Sequence, residues 1–109
     1  MNKWLCLILL SVLIIPQGIS WQTYLSMFPE LKEIVKVESN FNPDAVHVNK
    51  NGTRDCGLFQ INDVHGISCY KRKDPWFSLM WAIEKYYDDE LHIWSTYKLL
   101  VKTGKIFID

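Results

Sequence analysis

The sequence predicts a small α+β domain, mostly helical with one short β-hairpin, and three observations carry that expectation. Apolar residues return every three or four positions around Leu31, Leu79 and Tyr97, the period of helices buried on one side. Asn51-Gly52, the strongest short hairpin signal, falls between two short runs at about 46–59. The chain has 109 residues, with no repeat and no low-complexity tract that would separate a second domain.

Residues 1–20, "MNKWLCLILLSVLIIPQGIS", read as a signal peptide. Lys3 gives a positive start, an apolar run follows, Pro16 ends it, and Gly18 and Ser20 supply the small-x-small cleavage pattern. The run is short for a bilayer span, so the expected product is a secreted or periplasmic domain, residues 21–109, with no membrane attachment after cleavage. That domain is small enough for its core to be marginal, so a covalent staple would help it. Cys6 leaves with the leader, and Cys56 and Cys69 are then expected to pair in an oxidising compartment. Formal charge is zero for the whole chain, which offers no basic surface for nucleic acid.

Along the domain, Trp21, Tyr24, Leu25 and Phe28 have helical spacing, and Pro29 marks the start of a second helix. The second helix should end near Asn40, because Asn42 precedes Pro43 and is biased out of helix. The hairpin comes next, then a polar loop, "DVHGISCYKRKD". Asp74-Pro75 reads as an N-cap with Pro at the first helical position. The helix it starts carries Leu79, Met80, Ile83, Tyr86 and Tyr87 on one face, until Asp88–Glu90 interrupts it. A last helix places Ile93, Tyr97, Leu100 and Val101 on one face, with Lys102 in its last turn and Gly104 as its stop.

One residue breaks the pattern of the second helix. Leu31, Ile34, Val35, Glu38 and Phe41 share a side, which puts a carboxyl in an apolar stripe. Such a group costs free energy when ionised, so its pKa should rise and it should keep a proton, as a general acid must. Asp55, seventeen residues on, lies on the returning strand of the hairpin, which can fold back over the helix end. Two carboxyls in unlike surroundings are what glycoside hydrolysis uses. Taken singly, Asp55 reads more readily as a turn or surface aspartate, and Gln60 and Asn62 as polar residues of a hairpin edge.

"ESNFNPDAV" and "NKNGTRDCGLFQIN", which together span Glu38 to Asn62, resemble the active-site region of the lysozyme superfamily. C-type lysozymes and the small secretion-associated lytic transglycosylases share this pattern: a catalytic Glu followed by Ser, a turn, an acidic residue and a Gly-x-x-Gln-Ile-Asn segment. The resemblance implies a lysozyme-like fold and catalytic roles for Glu38, as acid, and Asp55, as the stabilising or nucleophilic carboxylate. It implies substrate contacts from Ser39, Gly57, Gln60 and Asn62. "WSTYK", Trp94 to Lys98, is similar to a C-type lysozyme motif and implies an aromatic cleft role for Tyr97. The implied substrate is the β-1,4 bond between N-acetylmuramic acid and N-acetylglucosamine in peptidoglycan glycan strands, cleaved with no cofactor and no metal. A cell-envelope secretion machine is the implied partner. The Ala-Tyr-Asn context usual in the transglycosylases is missing, and a non-catalytic glycan-binding module on the same fold is the alternative. Cys56, His65 and Cys69 have no standard zinc-ligand spacing.

Overall fold

The computed structural model describes residues 18–106. The expected leader therefore lies outside the described residues except for 18–20. The described residues form five helices and a three-stranded antiparallel sheet: α1 (Trp21–Leu25), α2 (Pro29–Ser39), β1 (Val46–Val48), β2 (Arg54–Cys56), β3 (Ile61–Asn62), α3 (Cys69–Arg72), α4 (Pro75–Tyr87) and α5 (Ser95–Lys102). Single 3-10 turns at Asp63–His65 and Leu91–Ile93 precede α3 and α5.

The helix boundaries follow from their end residues. Ser20 caps α1, its Oγ accepting the Thr23 N–H at 3.1 Å, so cleavage after Ser20 would remove that cap. Pro29 opens α2, and Asn40 closes it in the left-handed conformation. Asp74 caps α4 through the Phe77 N–H at 3.0 Å, with Pro75 first in the helix, as the sequence predicts. At the end of α5, Gly104 has a positive φ and its N–H reaches the Val101 carbonyl, while Lys105 reaches Leu100. That pair of bonds is a Schellman stop.

Helix α4 is the centre of the core. It packs on α1, α2 and α3, and α5 packs on α2. Leu31, Ile34 and Val35 from α2 meet Leu79, Ala82 and Ile83 from α4, all fully buried. Ile93 departs from the expected face: it lies in the 3-10 turn ahead of α5 and is 39% exposed. Phe41 lies beyond the helix, at φ 64°, and still packs against the core.

The hairpin pairs Val46 with Cys56, His47 with Asp55 and Val48 with Arg54. It is shorter than the expected 46–59, because Gly57 to Gln60 turns the chain into β3, a strand the sequence does not announce. The hairpin loop is also longer than Asn51-Gly52 alone. The Gly52 N–H bonds the Asn49 carbonyl, and Gly52 itself is left-handed, the usual pattern of a three-residue loop.

The largest departure is in the expected polar loop, where α3 buries Arg72 to 1% exposure. Its guanidinium donates to the carbonyls of Ser68, Arg54 and Ile61 and to Asp63 Oδ1. Five fixed donors let one arginine stitch α3 to all of these. Cys56 and Cys69 are bridged with Cα atoms 5.6 Å apart, which fastens β2 to the start of α3. Closing a loop of this length is worth about 3 kcal/mol. Cys69→Ser is therefore expected to lower unfolding stability by about that amount, measured by urea titration without reductant.

Candidate active site

Glu38, Asp55, Gln60 and Asn62 line one cleft of about 200 Å³, which His65, Trp81 and Trp94 also border. The fold brings them together from four directions. Glu38 is the next-to-last residue of α2, Asp55 is central in β2, Asn62 ends β3 opposite Asp55, and Trp94 is the N-cap residue just before α5.

The environment of Glu38 favours its protonated form. It is half-buried at the end of the apolar stripe, and burial pushes its pKa above the ordinary glutamate range. Thr96 Oγ1 donates to Glu38 Oε1 at 2.7 Å and opposes that rise, while the facing charge of Asp55 adds to it. A carboxylate in the last turn of a helix also meets the negative end of the helix dipole.

Asp55 is held differently. Asn62 Nδ2 donates to its Oδ1 at 2.7 Å, and Asn49 Nδ2 to its Oδ2 at 3.2 Å. Both amides also bond Thr53 Oγ1, so the hairpin loop and β3 clamp the carboxylate from both sides. The two carboxyls thus sit in unlike surroundings, one desolvated and one ringed by amide donors. Such a pair can protonate a leaving oxygen from one side and face a developing positive charge from the other.

The remaining expected residues are placed unequally. Asn62 spends its side chain on Asp55, Thr53 and the Val64 N–H. Gln60, at φ 50°, gives its amide N–H groups to the carbonyls of Ala45 and Gly57, so its carbonyl oxygen is the end left for a ligand. Ser39 Oγ bonds back to the Val35 carbonyl at 3.3 Å and does not line the cleft. Gly57 is buried at φ 85°, and a Cβ there would sit 1.9 Å from the Arg72 carbonyl oxygen. What approaches it closely is the α3 backbone. Tyr97 packs against the core and does not line the cleft, whereas its neighbour Thr96 reaches Glu38.

A family model described as "Transglycosylase SLT domain" matches residues 19–94. The chain belongs to that family. The match covers the helix of Glu38, the sheet of Asp55 and the cleft tryptophans, and it stops before Thr96 and Tyr97. Protein IpgF of Shigella flexneri and protein IpgF of Shigella sonnei are each 57% identical to this SLT domain over 35 residues. Those residues are 32% of this chain, which covers 23% of the length of each relative. No solved structure matches the chain. Among the described residues of this SLT domain, no helix is long and apolar enough to cross a membrane. No group of three or more His, Cys, Asp or Glu among them could hold a metal ion.

Sequence reasoning passes over Thr96, which bonds Glu38, and over His65 and Trp81 in the cleft wall. Thr96 carries no sign of its role, because its partner is 58 positions away. Thr96→Val removes a hydrogen bond that favours the charged form of Glu38. The pKa of Glu38 should rise, and the alkaline limb of the pH–rate profile should move to higher pH. A profile with the parent's alkaline limb would contradict the role of Thr96.

Proposed function

We propose that this SLT domain cleaves the β-1,4 bond between N-acetylmuramic acid and N-acetylglucosamine in peptidoglycan. The observation that supports it best is Glu38: a half-buried carboxyl with a raised pKa, in the same cleft as Asp55. Glu38 gives its proton to the glycosidic oxygen as the bond from C1 of the muramyl sugar breaks. Asp55 faces the positive charge that develops at C1. The carboxylate left on Glu38 then takes a proton from the muramyl 6-hydroxyl, whose oxygen closes onto C1. No water is consumed, and the products are a 1,6-anhydromuramyl end and a free 4-hydroxyl.

Family membership favours this anhydro-forming route. A hydrolytic second step, in which water takes the place of the 6-hydroxyl, is the reading that the doubly clamped Asp55 favours. Mass spectrometry of soluble products from purified peptidoglycan separates the two. Anhydro ends are expected, hydrated ends would assign hydrolysis, and an intact wall would leave a glycan-binding module. Work on peptidoglycan places the domain in the cell envelope, and service to a secretion machine there is part of the same proposal.

A further inference from the structure

We propose that His65 is a glycan-contacting residue: with Trp81 it forms a wall of the cleft shared with Glu38 and Asp55, and it offers its ring nitrogens to a hydroxyl or acetamide of the bound sugar. The inference rests on reading this cleft as a glycan site. His65 ends the 3-10 turn that follows β3, so it enters the cleft directly beyond Asn62, and it is open to solvent.

Its ring is held in place by an aromatic chain that starts in the core. Phe59 and Trp94 lie 5.6 Å apart, Trp94 and Trp81 5.9 Å, and Trp81 and His65 4.9 Å at an interplanar angle of 69°. Trp94 is fixed in turn by its Nε1–H, which donates to the Phe59 carbonyl at 2.7 Å. Lys85 Nζ stands 4.9 Å from the centre of the Trp81 ring. Among the described residues, no protein group hydrogen-bonds either nitrogen of His65. A polar ring packed edge-on against the cleft wall, with its donor and acceptor unused by the protein, can meet a ligand.

The charge state agrees. Burial by the cleft wall, with the positive charges of Lys85 and Arg72 adding to it, holds the imidazole below the usual histidine range. A neutral ring presents one donor and one acceptor, which suits a sugar hydroxyl, and places no cation beside the acid.

The test compares KM and kcat on purified peptide-free glycan strands for the parent, His65→Phe and His65→Gln. Phe keeps the ring packing on Trp81 and removes both nitrogens. KM should rise about tenfold, the worth of one good hydrogen bond, with kcat within about threefold and an unchanged melting temperature. Gln, which keeps a hydrogen-bonding end without the ring, should recover part of the loss. A parental KM in the Phe variant would overturn the contact, as would a Gln variant weaker than Phe, since packing alone would then explain the site. If the parent leaves strands intact, it is the cleavage reading that fails. Equilibrium binding of the same strands to Glu38→Gln, with and without His65→Phe, then reads the contact alone: about tenfold weaker binding supports it and equal binding overturns it.

Discussion

Glu38→Gln is expected to slow peptidoglycan cleavage by about a hundredfold or more, while the domain stays folded and still binds glycan. Gln fills the same space and can still accept the Thr96 hydroxyl, but it has no proton to give. The same substitution has a thermodynamic signature. Because the folded pKa of Glu38 is raised, folding favours its protonated form. The stability that Glu38 contributes is full below its unfolded pKa and is lost as pH rises through the folded one. Gln cannot ionise, so at neutral pH the variant should melt at or above the parent temperature. Below the ordinary glutamate range the difference should vanish. An inactive variant that melts far below the parent would mean that Glu38 supports the fold and would remove the main support for its role as acid.

Arg72→Met should be the most damaging substitution for stability, at about 3 kcal/mol or more. Met fills much of the volume and supplies no donors, so the carbonyls of Arg54, Ile61 and Ser68 lose the bonds that the guanidinium gives them and Asp63 loses its ion pair with Arg72. Lys would not repair this, because an ammonium cannot fork between carbonyls on two strands. The loss should also weaken the clamp on Asp55, which shares β2 with Arg54 and faces Asn62 beside Ile61. The share of the deficit that comes from Asp63 should fade in acid. The Arg54 N–H, and after it Arg72, hold Asp63 below the usual aspartate range. The stability tied to Asp63 is therefore present above its unfolded pKa and fades as pH falls through the folded one. Urea unfolding at neutral and acid pH checks both points, and a parental midpoint at neutral pH, or a deficit that grows in acid, would contradict them.

How much of this was legible in the sequence depends on the distance over which each residue acts. Glu38 stood out because a carboxyl in an apolar stripe breaks a local period, and the structure places it at the cleft end of α2. Asp74-Pro75 and Gly104 are end signals that work within a few residues, and both act where they were expected. Cys56 and Cys69 were a pair by elimination once the leader was set aside. Arg72, by contrast, sits in a run of basic residues that looks solvated. Its burial depends on Gly57, which has no Cβ to collide with the Arg72 carbonyl, and on strands brought together by the fold. The two-residue strand β3 is too short to show a period. Asn62 read as a sugar contact, and its side chain proves to be committed to Asp55. Thr96 meets Glu38, and the Trp81–His65 wall the cleft, only through tertiary packing.

The measurement that bears most directly on Glu38 as the acid is a titration of its side-chain carboxyl carbon by NMR in the folded protein. The expected midpoint lies above the ordinary glutamate range, moves higher in Thr96→Val, and coincides with the alkaline limb of the cleavage rate. A midpoint at or below the ordinary range would leave Glu38 ionised at working pH and without the proton that this chemistry requires.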